Sequence, residues 1–237
     1  MMLRLRYSKL GKIRFVSHRD MARIWERVLR KARFPMAYSE GFHPRPKLSF
    51  GLALPTCGES DCEYLDITAA PDWDAAEIDG LPERFTAAMP DGVIVEDVVE
   101  LPAGMDSLQA AVTSCTWNIE IINTTEIDAA DYVARVLAAE VLEVTRVRKG
   151  KPVTDDIRPL IYSLALTQTA DGNLALAAEL GTQPRALRPS EVVLAVEPHL
   201  ETGRIRRTKQ WITVDGARCE PLAAVAAVDA HTTVGVG

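Results

Sequence analysis

Residues 17–31, Ser-His-Arg-Asp-Met-Ala-Arg-Ile-Trp-Glu-Arg-Val-Leu-Arg-Lys, decide the fold of the N-terminal half. Their pattern predicts an amphipathic helix. Ser17 followed by Asp20 is typical of a capping box, so the helix is predicted to begin there. It is expected to run to about Arg33 and to stop before Pro35. Its apolar side chains span an arc of about 140° and are predicted to pack on a sheet.

The adjoining arc of this helix carries cations. At 100° per residue, five basic side chains fall within about 120° of one another: Arg19, Arg23, Arg27, Arg30 and Lys31. Like charges spaced i,i+4 repel by a few tenths of a kcal/mol per pair, so the cluster is unfavourable without an anionic partner. The arc therefore indicates a binding face. An ordinary solvated face is the alternative.

The charge of the whole chain is divided unevenly. Residues 1–50 carry 13 Lys and Arg against three Asp and Glu, a local charge of +10, whereas the chain as a whole has a net charge of −6. Such a positive block steers anions by its local field. The alternative is that the acidic remainder folds back and neutralises it.

The segments around the helix predict a sheet. Extended segments are expected at Met2–Tyr7 and Lys12–Val16, a Pro/Gly loop at Pro35–Pro46, strands at Lys47–Leu54 and Glu63–Thr68, a helix at Asp74–Ala88 and a strand at Val93–Glu100. The order β-α-β-β-α-β is that of a ferredoxin-like unit.

The second half repeats a similar order with one extra strand. Strands are predicted at Cys115–Asn123, Leu142–Arg148, Leu160–Thr169, Leu174–Leu180 and Arg204–Thr213, with helices at Glu126–Glu140 and Pro189–Glu197. We therefore predict an α+β fold with two tandem ferredoxin-like (βαββαβ) units, over residues 1–102 and 108–215. Residues 220–237 are predicted to form a flexible tail.

A second candidate binding element is the loop Tyr38–Phe50, Tyr-Ser-Glu-Gly-Phe-His-Pro-Arg-Pro-Lys-Leu-Ser-Phe. Gly41 permits a positive φ, and the amides around it can form an anion-binding nest. The rings at Tyr38, Phe42 and His43 suit stacking on unpaired bases, while Arg45 and Lys47 suit phosphates. The alternative is a structural connection whose rings cap the core, which is the interpretation we favour for Phe50.

A third basic segment lies in the second half. Arg148, Lys149 and Lys151 flank a predicted hairpin turn at Gly150, and Arg158 follows. These cations extend the predicted anionic-ligand track, or they pair with neighbouring acids such as Asp155 and Asp156.

Two histidines are candidate acid–base groups, because an imidazole titrates near neutral pH. His18 opens the helix and His43 lies in the loop. For His18 a structural role at the helix start, bonded to a backbone group, is the favoured interpretation.

No cofactor or metal is predicted. The four cysteines show no CxxC pair, no zinc spacing and no closely spaced triplet of the kind that binds a radical SAM cluster. Cys57 and Cys62 with His43 form the one alternative metal set, and reduced structural thiols are the favoured interpretation. No apolar run reaches the ~20 residues needed to span a bilayer, and arginines interrupt the N-terminal apolar stretch. We therefore expect a cytoplasmic protein.

The chain resembles the radical SAM-associated (radical SAM-linked) domain of unknown function. The resemblance covers most of residues 1–213 and rests on Phe15–Asp20, Tyr38–Phe50, Leu54-Pro55, Arg148–Lys151 and Asp156–Pro159. In that family the domain is fused to a radical SAM module or encoded beside one. The resemblance implies the stand-alone form here, with a radical SAM protein as a partner in trans.

The pattern is more distantly similar to that of CRISPR RNA-processing endoribonucleases, although their C-terminal glycine-rich loop is not evident. The favoured function is RNA binding as an accessory to a radical SAM enzyme in tRNA or rRNA modification, without catalysis by this chain alone. Two alternatives stay open. One is a metal-independent endoribonuclease, and the other is a protein–protein adaptor for the radical SAM partner that does not touch RNA.

Overall fold

The computed structural model describes residues 1–214 and 216–226. The chain divides into two compact units, residues 1–112 with 211–237 and residues 113–210. The predicted α+β class is confirmed, since helices and antiparallel strands occur in both units. Of the predicted flexible tail, residues 221–226 are helical and Ala224 and Val225 are buried. Residues 227–237 lie outside the described part.

The first unit contains most of its elements in the order β-α-β-β-α-β. Its strands are β1 (Met2–Lys9), β2 (Leu48–Phe50), β3 (Gly58–Thr68) and β4 (Val93–Glu100), and its helices are α1 (His18–Lys31), α2 (Leu81–Thr86) and α3 (Leu108–Ala111). The strands are arranged β4-β1-β3, with β2 on β3. All these pairings are antiparallel.

The core of this unit forms where α1 packs on one face of the sheet. Side chains alternate across a strand, so Leu3, Leu5 and Tyr7 share a face, and all three are buried against α1. Trp25 of α1 is fully buried, and its ring lies edge-on to Tyr7 with the centroids 5.1 Å apart. The amphipathic helix predicted from residues 17–31 is confirmed, and its apolar arc forms the core.

Three predicted elements of this unit differ in the structure. The expected strand at Lys12–Val16 is wrong. Gly11–Phe15 form a 3₁₀ helix instead, because Gly11 turns the chain with a φ of +72°. The predicted helix at 74–88 is split into a 3₁₀ helix, Ala75–Gly80, and α2, since Gly80 and Pro82 interrupt a continuous helix. β2 covers three residues of the predicted Lys47–Leu54 strand.

The second unit has five further strands and two helices. The strands are β5 (Val112–Ile122), β6 (Glu143–Arg148), β7 (Lys151–Asp156), β8 (Ile161–Gln168) and β9 (Leu174–Gly181), and the helices are α4 (Glu126–Ala138) and α5 (Pro189–Val196). β10 (Glu201–Val214) contributes its first ten residues to this unit. Its last four belong to the first unit, where Ile212, Thr213 and Val214 pair with β11 (Ala217–Cys219).

The strand order in the second unit is β10-β5-β9-β8, and β6 and β7 form a separate two-stranded hairpin. That hairpin confirms the turn predicted at Gly150. Tyr132 of α4 is buried and donates from its hydroxyl to the Val192 carbonyl of α5 at 2.7 Å. No helix in the described residues is long and apolar enough to cross a membrane.

Candidate nucleic-acid interface

The start of α1 is fixed by its own cap and by a buried lysine. The Asp20 amide donates to Ser17 Oγ at 3.2 Å, as the capping-box motif predicts. Lys9 is 4% exposed, and its Nζ donates to the Val16 carbonyl at 2.8 Å, directly before the helix. Burial lowers the pKa of Lys9. A charged group in a strand thus anchors the helix start, which sequence patterns did not predict.

The other end of α1 is held by an arginine of α2. Arg84 donates from Nε to the Ala32 carbonyl at 2.6 Å and from Nη2 to the Arg33 carbonyl at 3.0 Å. The last carbonyls of a helix lack intrahelical partners, and a cation there also complements the helix dipole. Because one end of α1 is tied to β1 and the other to α2, the outer face of α1 is presented on a rigid element.

That outer face carries the predicted cations, and we call it the α1 cationic face. All of its members are exposed: Arg19, Arg23, Arg27, Arg30 and Lys31. Of these five cations, only Arg23 forms an ion pair within the described residues, with Asp20 at 3.1 Å. The predicted alternative, neutralisation by the acidic remainder, is not seen at the other four positions in the described part of the chain.

The loop between α1 and β2 is closed by two hydrogen bonds between Ser39 and Arg45. The Ser39 amide donates to the Arg45 carbonyl at 2.8 Å, and the Arg45 amide donates to Ser39 Oγ at 3.0 Å. Gly41 adopts a φ of +123°, as predicted. The Ser39 amide is therefore already used, and the predicted anion nest is left with the amides of residues 40–42.

The loop presents its rings and cations to solvent. Phe42 is fully exposed and Tyr38 is about half exposed, at 48%. His43, Arg45 and Lys47 are exposed as well. Both faces of the Phe42 ring are therefore accessible to a partner.

The loop and α1 meet at one ring contact. His18 lies edge-on to Phe50, with 5.2 Å between the ring centroids. Phe50 also packs on the core, which agrees with the structural interpretation favoured for it. Neither His18 nor His43 makes a side-chain hydrogen bond to any described residue, so the acid–base role suggested for them remains a prediction.

The cations at the two ends of the β6–β7 hairpin differ in their surroundings. Arg148, Lys149 and Lys151 lie at the exposed end of the β6–β7 hairpin, where Lys149 and Gly150 both adopt positive φ. We call these three cations the hairpin tip, and none of them has an ion pair within the described residues. At the base of the hairpin, by contrast, Arg146 binds Asp155 at 2.9 Å.

Asp155 is the centre of that basal network. Arg185 also donates to its Oδ2 at 2.9 Å, and the other end of the same guanidinium binds Glu191 at 2.8 Å. The hydrogen bond from Arg146 lowers the pKa of Asp155. The alternative predicted for this segment, pairing with nearby acids, therefore applies to the base of the hairpin.

Arg158 serves a structural purpose. Its guanidinium donates to three carbonyls: those of Ala139 at 3.0 Å, Ile161 at 3.2 Å and Leu137 at 3.2 Å. Because two of these nitrogens hold the end of α4 and the third binds the first residue of β8, we do not assign Arg158 to the binding surface, although the sequence placed it with the binding residues.

No metal site is evident in the described part of the chain. There, no group of three or more His, Cys, Asp or Glu side chains is arranged to hold an ion. Cys57 is exposed and Cys62 is buried.

Comparison with solved structures shows a limited likeness. A chain in the crystal structure of a Cbf5-Nop10-Gar1 complex superposes with a TM-score of 0.46 at 8% sequence identity. The match covers 88% of this chain and 48% of the other, so the present chain spans about half the length of that protein. No curated protein matches it in sequence.

Comparison with protein families gives a defined match. Residues 2–189 match the family described as uncharacterized protein conserved in bacteria, DUF2344. The match contains α1, the loop and the hairpin, and it extends over well more than half of the chain. The chain therefore belongs to this bacterial family, DUF2344.

Proposed function

We propose that this protein binds RNA through the α1 cationic face and the Tyr38–Phe50 loop, as an accessory to a radical SAM enzyme that modifies tRNA or rRNA. The observation that carries the proposal is the set of exposed, unpaired cations on one rigid helix. Arg19, Arg27, Arg30 and Lys31 have no carboxylate partner within the described residues.

The spacing of these cations argues for an anionic polymer. Arg19, Arg23, Arg27 and Lys31 follow one another at i,i+4, so each is a neighbour of the next along the helix. Their repulsion is relieved when phosphates bind and counterions are released. A row of cations about 18 Å long, at 1.5 Å per residue, suits a phosphate backbone better than a single small anion.

The loop adds a means of contacting bases. RNA is recognised in sequence mainly where its bases are unstacked, and exposed aromatic rings stack on such bases. Phe42, Tyr38 and His43 supply rings beside the cations Arg45 and Lys47. The hairpin tip, with Arg148, Lys149 and Lys151, supplies a further basic contact.

Strand order and sequence resemblance support two finer parts of the proposal. The strand orders β4-β1-β3-β2 and β10-β5-β9-β8 support two tandem ferredoxin-like units, the second with the β6–β7 hairpin inserted. The radical SAM partner is supported by the sequence resemblance alone. We propose that the partner acts in trans and supplies the cluster and the chemistry.

In-cell crosslinking tests the proposed function. Cells expressing the full chain are irradiated with ultraviolet light, and the RNA attached to the purified protein is sequenced. We expect tRNA or rRNA fragments, with crosslinks at the loop, and their loss when Arg27 and Arg30 are both changed to Glu. Recovery of a radical SAM protein complex without attached RNA would overturn the RNA proposal and favour the adaptor alternative.

A further inference from the structure

A cavity of about 450 Å³ lies in the first unit, apart from the α1 cationic face. Its volume is within the range of small-molecule sites. It is lined by β-strand residues and by the connection that follows β4: Met2, Lys47, Leu48, Ser49, Asp66, Thr68, Leu101, Met105, Asp106 and Ser107. Lys47 belongs both to this cavity and to the basic loop.

Strand register defines the floor of the cavity. Ser49 is paired with Asp66, and Asp66 is paired with Arg4 on the next strand. In the adjacent row Thr68 is paired with Met2, and its amide donates to the Lys47 carbonyl. Side chains alternate along a strand, so these rows lie on the face opposite to Leu3 and α1.

Asp66 gives the floor a fixed acceptor. It is 5% exposed, and its two oxygens accept from Arg4 Nε at 2.8 Å and Nη2 at 2.9 Å. Each carboxylate oxygen keeps a second lone pair, and an ionised carboxylate can only accept. Asp66 therefore suits a ligand that presents an amino or N–H group. Arg4 Nη1 has no acceptor within the described residues, so the pair also keeps an unused donor.

The walls of the cavity suit the ring of a nucleobase, and its rim suits a phosphate. Met2 and Met105, whose side chains carry thioethers, line the cavity, and Leu48 and Leu101 add apolar residues to the lining. Methionine sulfur makes favourable contacts with aromatic rings and adapts to their shape. Lys47 is exposed at the rim and offers an ammonium to a phosphate.

We infer that this cavity holds one unstacked base of the bound RNA, and that it selects bases carrying an exocyclic amino group over uracil. The inference rests on the proposed function, because the strand held by Arg45 and Lys47 passes the rim of the cavity. Asp66 accepts from the amino group, the thioethers enclose the ring, and Lys47 binds the adjoining phosphate.

Labelled octamers of adenylate, cytidylate and uridylate test this inference by fluorescence anisotropy with the full chain. We expect the adenylate or cytidylate octamer to bind about tenfold more tightly than the uridylate octamer, the scale of one base contact. Met105→Trp fills the cavity from the connection after β4. It should reduce adenylate and cytidylate binding to the uridylate level and leave uridylate binding unchanged. Ala103→Trp, exposed on the same connection but outside the cavity lining, is the matched control.

The outcomes separate the two proposals. Equal binding of the three octamers, or discrimination that survives both Met105→Trp and Ser107→Trp in folded protein, overturns the base pocket while leaving RNA binding intact. Failure of the wild-type chain to bind any octamer or cellular RNA overturns the proposed function itself. A titration of the protein with AMP and UMP distinguishes a site for free nucleotides from a site for a base of a bound strand. AMP binding as tight as that of the adenylate octamer, and unaffected by Arg27→Ala/Arg30→Ala, would show a free-nucleotide site and overturn the link to a bound strand.

Discussion

The α1 cationic face and the β6–β7 hairpin are both rich in arginine and lysine, yet their surroundings differ. On α1, one of five cations is ion-paired within the described residues, through Arg23 and Asp20. At the base of the hairpin, Arg146 and Arg185 share Asp155 as their acceptor. Within the hairpin, the tip resembles α1, because its exposed cations have no acidic partners among the described residues.

The number of basic residues in a region therefore does not give the positive charge that a ligand can reach, because some of these residues are already paired with acids. The basal hairpin arginines neutralise acids of their own unit, so their charge stabilises local structure. The α1 cations add a repulsion to the free protein instead. RNA binding, as proposed, would relieve this repulsion. Variants in the two regions can break or sharpen this contrast, beginning with the largest expected effect.

Charge reversal on α1 should have the largest effect. Arg27→Glu/Arg30→Glu is expected to weaken binding to single-stranded RNA on the order of a hundredfold or more, since two attractive contacts become repulsive. Anisotropy at fixed salt measures it. Arg135→Glu/Arg204→Glu applies the same charge change to two arginines of the second unit that already have acidic partners. Equal losses in both variants would mean that net charge, not the α1 face, determines binding.

Removal of the exposed ring in the loop should rank next. Phe42→Ala is expected to weaken RNA binding about tenfold through loss of one base stack, with an unchanged melting temperature because the ring contacts no core residue. Tyr162→Ala, a half-exposed ring in the second unit, is the control. An affinity that Phe42→Ala does not alter would assign the ring to another partner.

Neutralisation of the hairpin tip should have a smaller effect. The triple variant Arg148→Ala/Lys149→Ala/Lys151→Ala is expected to lower RNA affinity severalfold, because it removes positive charge from a secondary contact. Its thermal stability should stay the same, since these side chains have no acidic partners in the described part of the chain. A loss as large as that of the α1 reversal would make the hairpin the primary site and invert the comparison.

Single neutralisation on α1 should also stabilise the free protein. Arg27→Ala removes repulsion with Arg23 and Lys31, which is expected to raise the free energy of unfolding by a few tenths of a kcal/mol. Urea denaturation without RNA measures this change. Destabilisation by Arg27→Ala would show that Arg27 makes a structural contact and is not an available cation of the α1 cationic face.

The smallest expected effect concerns the hairpin base and its pH dependence. Arg146 holds the pKa of Asp155 below its ordinary value of 3.8. The stabilising contribution is therefore fully present above pH 3.8 and is lost as the pH falls through the folded-state pKa. Asp155→Asn should lower the melting temperature at pH 7 but lose that difference at pH 2–3. The exposed Asp72→Asn variant is the control, and a pH-independent difference would contradict the ion-pair assignment.

Local sequence patterns correctly predicted the elements that are determined by residues close together in the chain. The capping residues and the 3.6-residue periodicity identified α1, and Gly150 identified the turn of the hairpin. The same rules failed at Gly11–Phe15, where apolar alternation resembled a strand but a positive φ at Gly11 produced a 3₁₀ helix. The alternation of apolar residues does not indicate that a glycine before them will turn the chain.

Partners distant in sequence were beyond the reach of pattern. Arg4 and Asp66 are 62 residues apart and become a buried pair only when β1 and β3 align. Arg158 was grouped with the binding cations because it follows the basic segment at residues 146–151, yet it holds the end of α4. For Arg4, the alternation with Leu3 and Leu5 was the available signal, since it placed a charge on the second face of a strand.

The salt dependence of RNA affinity tests the central claim most directly. If Arg23, Arg27, Arg30, Arg45 and Lys47 contact phosphates, a plot of log K against log salt concentration should have a slope of about −3 to −4 for single-stranded RNA. The Arg23→Ala/Arg27→Ala/Arg30→Ala variant should reduce the magnitude of that slope by about 2. A slope near zero in the wild-type protein, or an identical slope in the variant, would contradict binding through the α1 cationic face.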